Sequence, residues 1–109
     1  MVKNMPIFSL SKKVALVTGA AGLLGVEHSI ALVQAGADVV MTDINLEELE
    51  ISAQNVFKIT GVIPTTMLLD VSDQDSVSSV RKELGHQGKI VDILINNAAI
   101  DPKVRSDAT

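Results

Sequence analysis

The chain has 109 residues, 47% of them apolar and 20% charged, with a formal net charge of −4. The length fits one small domain, the apolar fraction suits a packed core, and the acidic balance without a basic tract excludes a nucleic-acid-binding footprint. Zero Cys excludes a disulfide framework, a zinc knuckle and a cysteine nucleophile, and zero Tyr removes tyrosine as an acid or base.

Residues 1–10 (MVKNMPIFSL) form an N-terminal extension, with one Lys and a short apolar patch broken by Pro6, too little for a signal-peptide core. No apolar run approaches the roughly 18 residues of a spanning helix, so the expectation is a cytoplasmic protein without a membrane partner.

Val14 to Val17 is a continuous apolar run ending at Thr18-Gly19, which suits a strand buried on both faces. From Leu23 the spacing changes. Leu23, Val26, Ile30 and Val33 fall on one helical stripe, and Gly36 supplies a stop. Ala37 to Thr42 (ADVVMT) predicts a second strand closing on Asp43. Asn45 is placed to cap a second helix, with Glu47 and Glu48 in its first turn and Leu46, Leu49, Ala53 and Val56 as its buried stripe. Gly61 ends it.

Val62 to Leu69 predicts a third strand, with Pro64 tolerable at an edge or entry position. Asp70-Val71 follows, and Ser72 or Asp73 caps a third helix carrying Val77, Val80 and Leu84, broken by Gly85 and Gly88. Ile90 to Ile95 predicts a fourth strand, running into Asn96-Asn97-Ala98-Ala99. The last ten residues have no period and read as loop.

This βαβαβαβ alternation predicts an α/β fold with a parallel sheet, because parallel neighbours need crossover connections. Right-handed crossovers, with the return expected of a doubly wound sheet, give strand order 3-2-1-4.

Between the first strand and the first helix lies Thr18-Gly19-Ala20-Ala21-Gly22-Leu23-Leu24-Gly25. The first glycine allows the tight turn, the second lets backbone approach a pyrophosphate, and the third lets helix and strand pack closely. The helix N-terminus offers free N–H groups and partial positive charge to phosphates. Asp43, at the end of the second strand, is placed to accept hydrogen bonds from adenosine ribose hydroxyls and would repel a 2′-phosphate. Its neighbours Thr42, Ile44 and Asn45 carry no positive charge. NAD is therefore expected over NADP.

These residues resemble the N-terminal half of a short-chain dehydrogenase/reductase from about Leu10 to Ile100. The resemblance rests on TGAAGLLG, Asp43 after ADVVMT, Asp70-Val71, and Asn96-Asn97-Ala98-Ala99 after DILI, each at the end of a successive strand. It implies that Asp70 and Val71 contact adenine, that Leu23 and Leu24 present backbone to the pyrophosphate, and that Asn97 and Ala98 build the cofactor floor. With Gly19, Ala21, Gly22, Gly25, Asp43, Ile44 and Ala99, they make up the expected cofactor-binding set. Residues 11–100 then read as a partial NAD-binding domain of Rossmann type, and 101–109 as a loop leading to an absent C-terminal half.

Two departures stand out. The single-domain branch spaces its loop T-G-x-x-x-G-x-G, whereas Gly22 follows the extended, nucleotide-sugar-modifying branch, and Ala99 replaces a Gly. The family's Ser, Tyr and Lys, in Y-x-x-x-K spacing, are expected beyond residue 109, so no catalytic residue is assigned within this chain. The complete protein would transfer hydride between NAD and the alcohol or carbonyl of a small sugar, polyol or ketone, as a homo-oligomer. The alternatives are a nucleotide-sugar epimerase or dehydratase, and a non-catalytic dinucleotide-binding module. His28 and His86, the latter expected in a loop, have no triad-like partners, and no metal-ligand spacing occurs. Asp73 and Asp75 read as capping groups, Glu47, Glu48 and Glu50 as a solvated helix face, and Met41 and Met67 as strand filling. The fourth strand, an edge in this chain, predicts exposed apolar surface and with it instability, self-association or pairing with a missing segment.

Overall fold

The computed structural model describes residues 9–97. Its elements in chain order are β1 (Val14–Thr18), α1 (Leu23–Gln34), β2 (Asp38–Asp43), α2 (Leu46–Thr60), β3 (Thr65–Leu68), α3 (Gln74–His86) and β4 (Ile93–Asn96). The strands form one parallel sheet in the order β3-β2-β1-β4, as the alternation of elements requires.

The period-2 geometry of a strand divides its apolar run between two faces. Ala15 and Val17 of β1, Val39 and Met41 of β2, and Ile93 and Ile95 of β4 pack with Leu49, Ala53 and Val56 of α2 and with Val26, Ile30 and Val33 of α1. Val14, Val40 and Leu69 face the other way, toward Val80 and Leu84 of α3. A continuous run of aliphatics is thus what a sheet covered on both faces demands. Leu49, with no exposed surface, illustrates the scale, since its burial is worth about 1.5–3 kcal/mol.

Several sequence-based boundaries shift, each for a physical reason. Leu23 is 80% exposed, and Leu46 is also exposed, because nothing among the described residues covers the first turns of α1 and α2. The fully buried face of α1 carries the small residues Gly25 and Ser29, which allow close approach to the sheet. β3 begins after Pro64, which lacks the N–H a ladder needs, and Val62 and Ile63 are exposed. Asp73, rather than Ser72, caps α3, accepting from the Asp75 amide.

Gly85 does not break α3. The helix runs through it to His86, which is therefore helical rather than in a loop, and the chain reverses at Gly88 (φ 72). That dihedral lies in the left-handed region, where glycine carries no Cβ penalty. β4 begins at Ile93 rather than Ile90, because the Asp92 carboxylate, not a strand carbonyl, takes the Val14 amide at 2.9 Å. Met41 is fully buried, whereas Met67 is half-buried.

Among the described residues α3 covers its sheet face alone. An open, mainly apolar groove of about 840 Å³ runs beside it, lined in part by Leu16, Val77, Leu84, Ile90 and Leu94. No helix among the described residues is long and apolar enough to cross a membrane.

Candidate functional site

Parallel strands bring their carboxyl ends to one edge of the sheet. Thr18 pairs with Asn96, and Asp43 with Leu68, so the ends of all four strands align. In open α/β sheets this edge, at the point where strand order reverses, is where ligands bind. Here the reversal falls at β1, between β2 and β4, and the glycine loop rises from it.

Gly19 (φ 60) turns the chain out of β1. The next three amides then donate in succession to the neighbouring unit: Ala20 to the Thr42 carbonyl at 2.8 Å, Ala21 to Asp43 Oδ2 at 3.0 Å, and Gly22 to Ser52 Oγ at 3.1 Å. Gly22 is the N-cap of α1, with φ 116 and ψ 177, a conformation that side chains rarely adopt. A Cβ built there meets no atom of the described residues within 4 Å, so that side of Gly22 is open.

Gly25 shows the opposite constraint. A Cβ there would lie 2.4 Å from the Ala20 carbonyl oxygen and 2.5 Å from its Cα, both backbone atoms. The third glycine is thus required by contact between helix and loop.

The three helix starts differ in their caps. Asn45 Oδ1 accepts from Glu48 at the start of α2, and Asp73 Oδ1 accepts from Asp75 at the start of α3. No side chain caps α1, whose first turn is Leu23, Leu24 and Gly25. Helix starts leave backbone donors unsatisfied and carry partial positive charge, so this one is available to an anion. Exposed Leu23 and Leu24 present this backbone at the surface.

Asp43 is half-buried, and each of its oxygens accepts one backbone amide, Oδ2 from Ala21 and Oδ1 from Asn45, the latter at 3.0 Å. Ile44 beside it is exposed. Across β3, Asp70 Oδ1 accepts from the Ser72 hydroxyl at 2.7 Å and the Ser72 amide at 3.0 Å. The Ser72 hydroxyl first, and its amide second, hold the Asp70 carboxyl below the usual carboxylate range. Val71 is exposed next to it. At β4, the Asn97 amide donates to Thr18 Oγ1 at 3.1 Å, and Thr18 Oγ1 donates to Asn96 Oδ1 at 2.9 Å. Ala98 and Ala99 lie outside the described residues.

The structure therefore brings the glycine loop, Asp43, Ile44, Asp70, Val71 and Asn97 to one edge. Sequence reasoning missed Ser52. It is separated from Gly22 by 30 residues and carries no motif signal, although a Ser within an apolar helical stripe marks a buried polar group in need of a partner. Among the described residues no group of acidic or histidine side chains is arranged to hold a metal.

Comparison with known proteins gives the same picture. The short chain dehydrogenase family profile matches residues 13–109. Gluconate 5-dehydrogenase of Gluconobacter oxydans is 41% identical over 98 residues, covering 86% of this chain and 36% of that protein. Sorbitol dehydrogenase of Cereibacter sphaeroides is 38% identical over 91 residues, covering 84% and 34%. The chain thus spans about a third of the length of these curated relatives. Among solved structures, a short-chain type dehydrogenase/reductase from Mycobacterium marinum superposes with a TM-score of 0.75 at 30% identity, covering 92% of this chain and 39% of that one. Pseudomonas aeruginosa RhlG, solved as a complex with NADP, superposes with a TM-score of 0.78 at 27% identity, covering 94% and 41%. The sheet order and the family match lead to one conclusion: the chain belongs to the short-chain dehydrogenase family.

Proposed function

We propose that this chain binds a nicotinamide dinucleotide, NAD in preference to NADP, and forms the cofactor-binding portion of an oxidoreductase. The observation that carries the reading is the direction of the loop amides. Those of Ala20, Ala21 and Gly22 turn toward β2 and α2, which leaves the uncapped first turn of α1 beneath open space over Gly22. The residues present fit an extended diphosphate. Leu23, Leu24 and Gly25 hold it through backbone N–H groups, and Gly19 and Gly22 admit it close to the loop. Ala21, through its bond to Asp43, keeps the loop in register.

Asp43 accepts from the adenosine ribose hydroxyls and repels a 2′-phosphate, with Ile44 against the adenine. Asp70 and Val71 receive the other side of the base, Asp70 as a charged acceptor. By the family resemblance, Asn97 and Ala98 are assigned to the cofactor floor, and Ala99 to the same binding set. When bound, the nicotinamide ring supplies the hydride-accepting and hydride-donating carbon.

The proposed substrate class is supported by relatives that include gluconate, sorbitol and galactitol dehydrogenases. We assign the whole protein to oxidation of an alcohol, or reduction of a carbonyl, on a small sugar or polyol, in the cytoplasm and as a homo-oligomer. The Ser, Tyr and Lys for that chemistry are assigned to sequence beyond residue 109, since this chain contains no Tyr. The glycine spacing favours a second reading, an enzyme of the extended branch acting on nucleotide sugars.

Calorimetric titration of the 109-residue chain with NAD and NADP tests the cofactor reading. Tighter binding of NAD is expected, with no hydride transfer to any sugar or polyol. Tighter NADP binding overturns the assignment made to Asp43, and binding of neither overturns the dinucleotide reading itself.

A further inference from the structure

We propose that Ser52 is a positioning residue of the dinucleotide site, acting through the Gly22 amide on the stretch of backbone that receives the pyrophosphate. The inference rests on the dinucleotide reading above and adds a residue from outside the glycine loop to it.

Three tethers hold the loop against β2 and α2, and they differ in chemistry. The Ala20 amide is held by a backbone carbonyl, and the Ala21 amide by the carboxylate assigned to the ribose. The Gly22 amide is held by a neutral side chain on α2, and that bond orients the peptide plane entering the first turn of α1. Ser52 is 5% exposed, so water competes poorly for the bond. On its amide side nothing else among the described residues restrains Gly22, since the space at its Cβ position is open and glycine has the broadest choice of backbone conformations, whereas its carbonyl is held by the Val26 amide.

Without the Ser52 oxygen the Gly22 amide has no acceptor among the described residues and is free to turn toward the open side of the loop. The Ala21–Gly22 peptide plane then loses its fixed direction, and with it the path by which the loop enters the first turn, while the Val26 amide still holds the Gly22 carbonyl at 3.0 Å. Affinity is reduced for ligands that carry phosphate, because ordering the loop becomes part of binding. The adenosine end, read at Asp43 and Asp70, is served by other bonds.

The test uses the 109-residue chain and two variants, Ser52→Ala and Ser52→Thr, titrated with NAD, ADP and adenosine by nuclear magnetic resonance. Alanine is a good helix former and removes only the hydroxyl, so the variant is expected to fold. Ser52→Ala should weaken NAD and ADP by about 3- to 10-fold, the scale of one hydrogen bond, and leave adenosine within about 2-fold. The Gly22 amide should shift and exchange faster with solvent. A folded Ser52→Thr chain should recover the affinities, because its hydroxyl is kept. Equal losses for ADP and adenosine would reveal a general structural role and overturn the proposal, as would unchanged ADP affinity. If the unaltered chain binds adenosine, ADP and NAD alike or not at all, the dinucleotide reading fails and the role of Ser52 falls with it.

Discussion

Asp43 Oδ2 accepts the Ala21 amide at 3.0 Å, so the carboxylate we propose for the ribose also holds the loop we propose for the phosphates. The two halves of the site are therefore coupled through one side chain. A substitution at Asp43 changes charge, loop geometry or both, depending on the replacement.

Asp43→Asn keeps one oxygen for the Ala21 amide, removes the charge and turns its NH2 toward the Asn45 amide, whereas Asp43→Ala removes both oxygens. We expect Asn at this position to narrow the preference for NAD over NADP with a smaller loss of thermal stability than Ala, since one of the two backbone bonds is kept. Ala should lower stability by about 1–2 kcal/mol, through the lost charge-assisted bonds, and weaken both dinucleotides. Calorimetric affinities and melting temperatures of the two variants check this. If the Ala variant gains NADP affinity as the Asn variant does, the tether contributes nothing to binding.

Two glycines should respond in opposite directions to alanine. At Gly25 the new methyl meets the Ala20 backbone at 2.4–2.6 Å and has no flexible neighbour to displace, so a loss of about 1–3 kcal/mol is expected. At Gly85, inside α3, a Cβ meets nothing within 4 Å, and alanine should stabilise by about 0.5–1 kcal/mol through helix propensity. Urea unfolding midpoints at constant slope measure both.

The Asp70 carboxyl is held below its ordinary range by Ser72, and this gives a pH dependence with a definite sign. A carboxylate with a depressed folded-state pKa contributes stability above its unfolded value, and that contribution disappears as pH falls through the folded value. Asp70 is fully exposed, so the effect on its own titration should be clearer than any effect on stability. Ser72→Ala should move the Asp70 carboxyl resonance to titrate at higher pH. An unchanged titration curve would contradict the Ser72 assignment.

The groove beside α3 exposes Leu94, 58% accessible, together with Ile90. Apolar surface of this kind promotes association and dye binding. The 109-residue chain should sediment as concentration-dependent oligomers and enhance the fluorescence of an anilinonaphthalene dye. Leu94→Lys should reduce both. A monomeric, cooperatively melting chain that ignores the dye would count against this reading.

The regular parts of the fold were legible because neighbouring residues specify them. The aliphatic runs of β1 and β2 predict strands covered on both faces, Asn45 caps the helix its position predicts, and Gly61 ends that helix in the left-handed conformation. Boundaries were less legible where a distant group competes with local preference. Asp92 takes the Val14 amide and delays β4, and helical hydrogen bonding carries α3 through Gly85. The glycine triplet, Asp43 and Asp70-Val71 could be placed at the sheet edge from spacing alone, since parallel strands must align their ends.

By itself the sequence determined the order of elements, the parallel sheet and the glycine loop, because periodicity, capping and turn chemistry act over a few residues. Tertiary structure decided which glycine is sterically obligatory, which oxygens hold the loop amides, and which apolar face stays open. Those outcomes depend on atoms brought together from positions far apart in the chain. Gly22 and Ser52, or Ala21 and Asp43, become partners only when α2 packs beside α1 and β2 lies against β1.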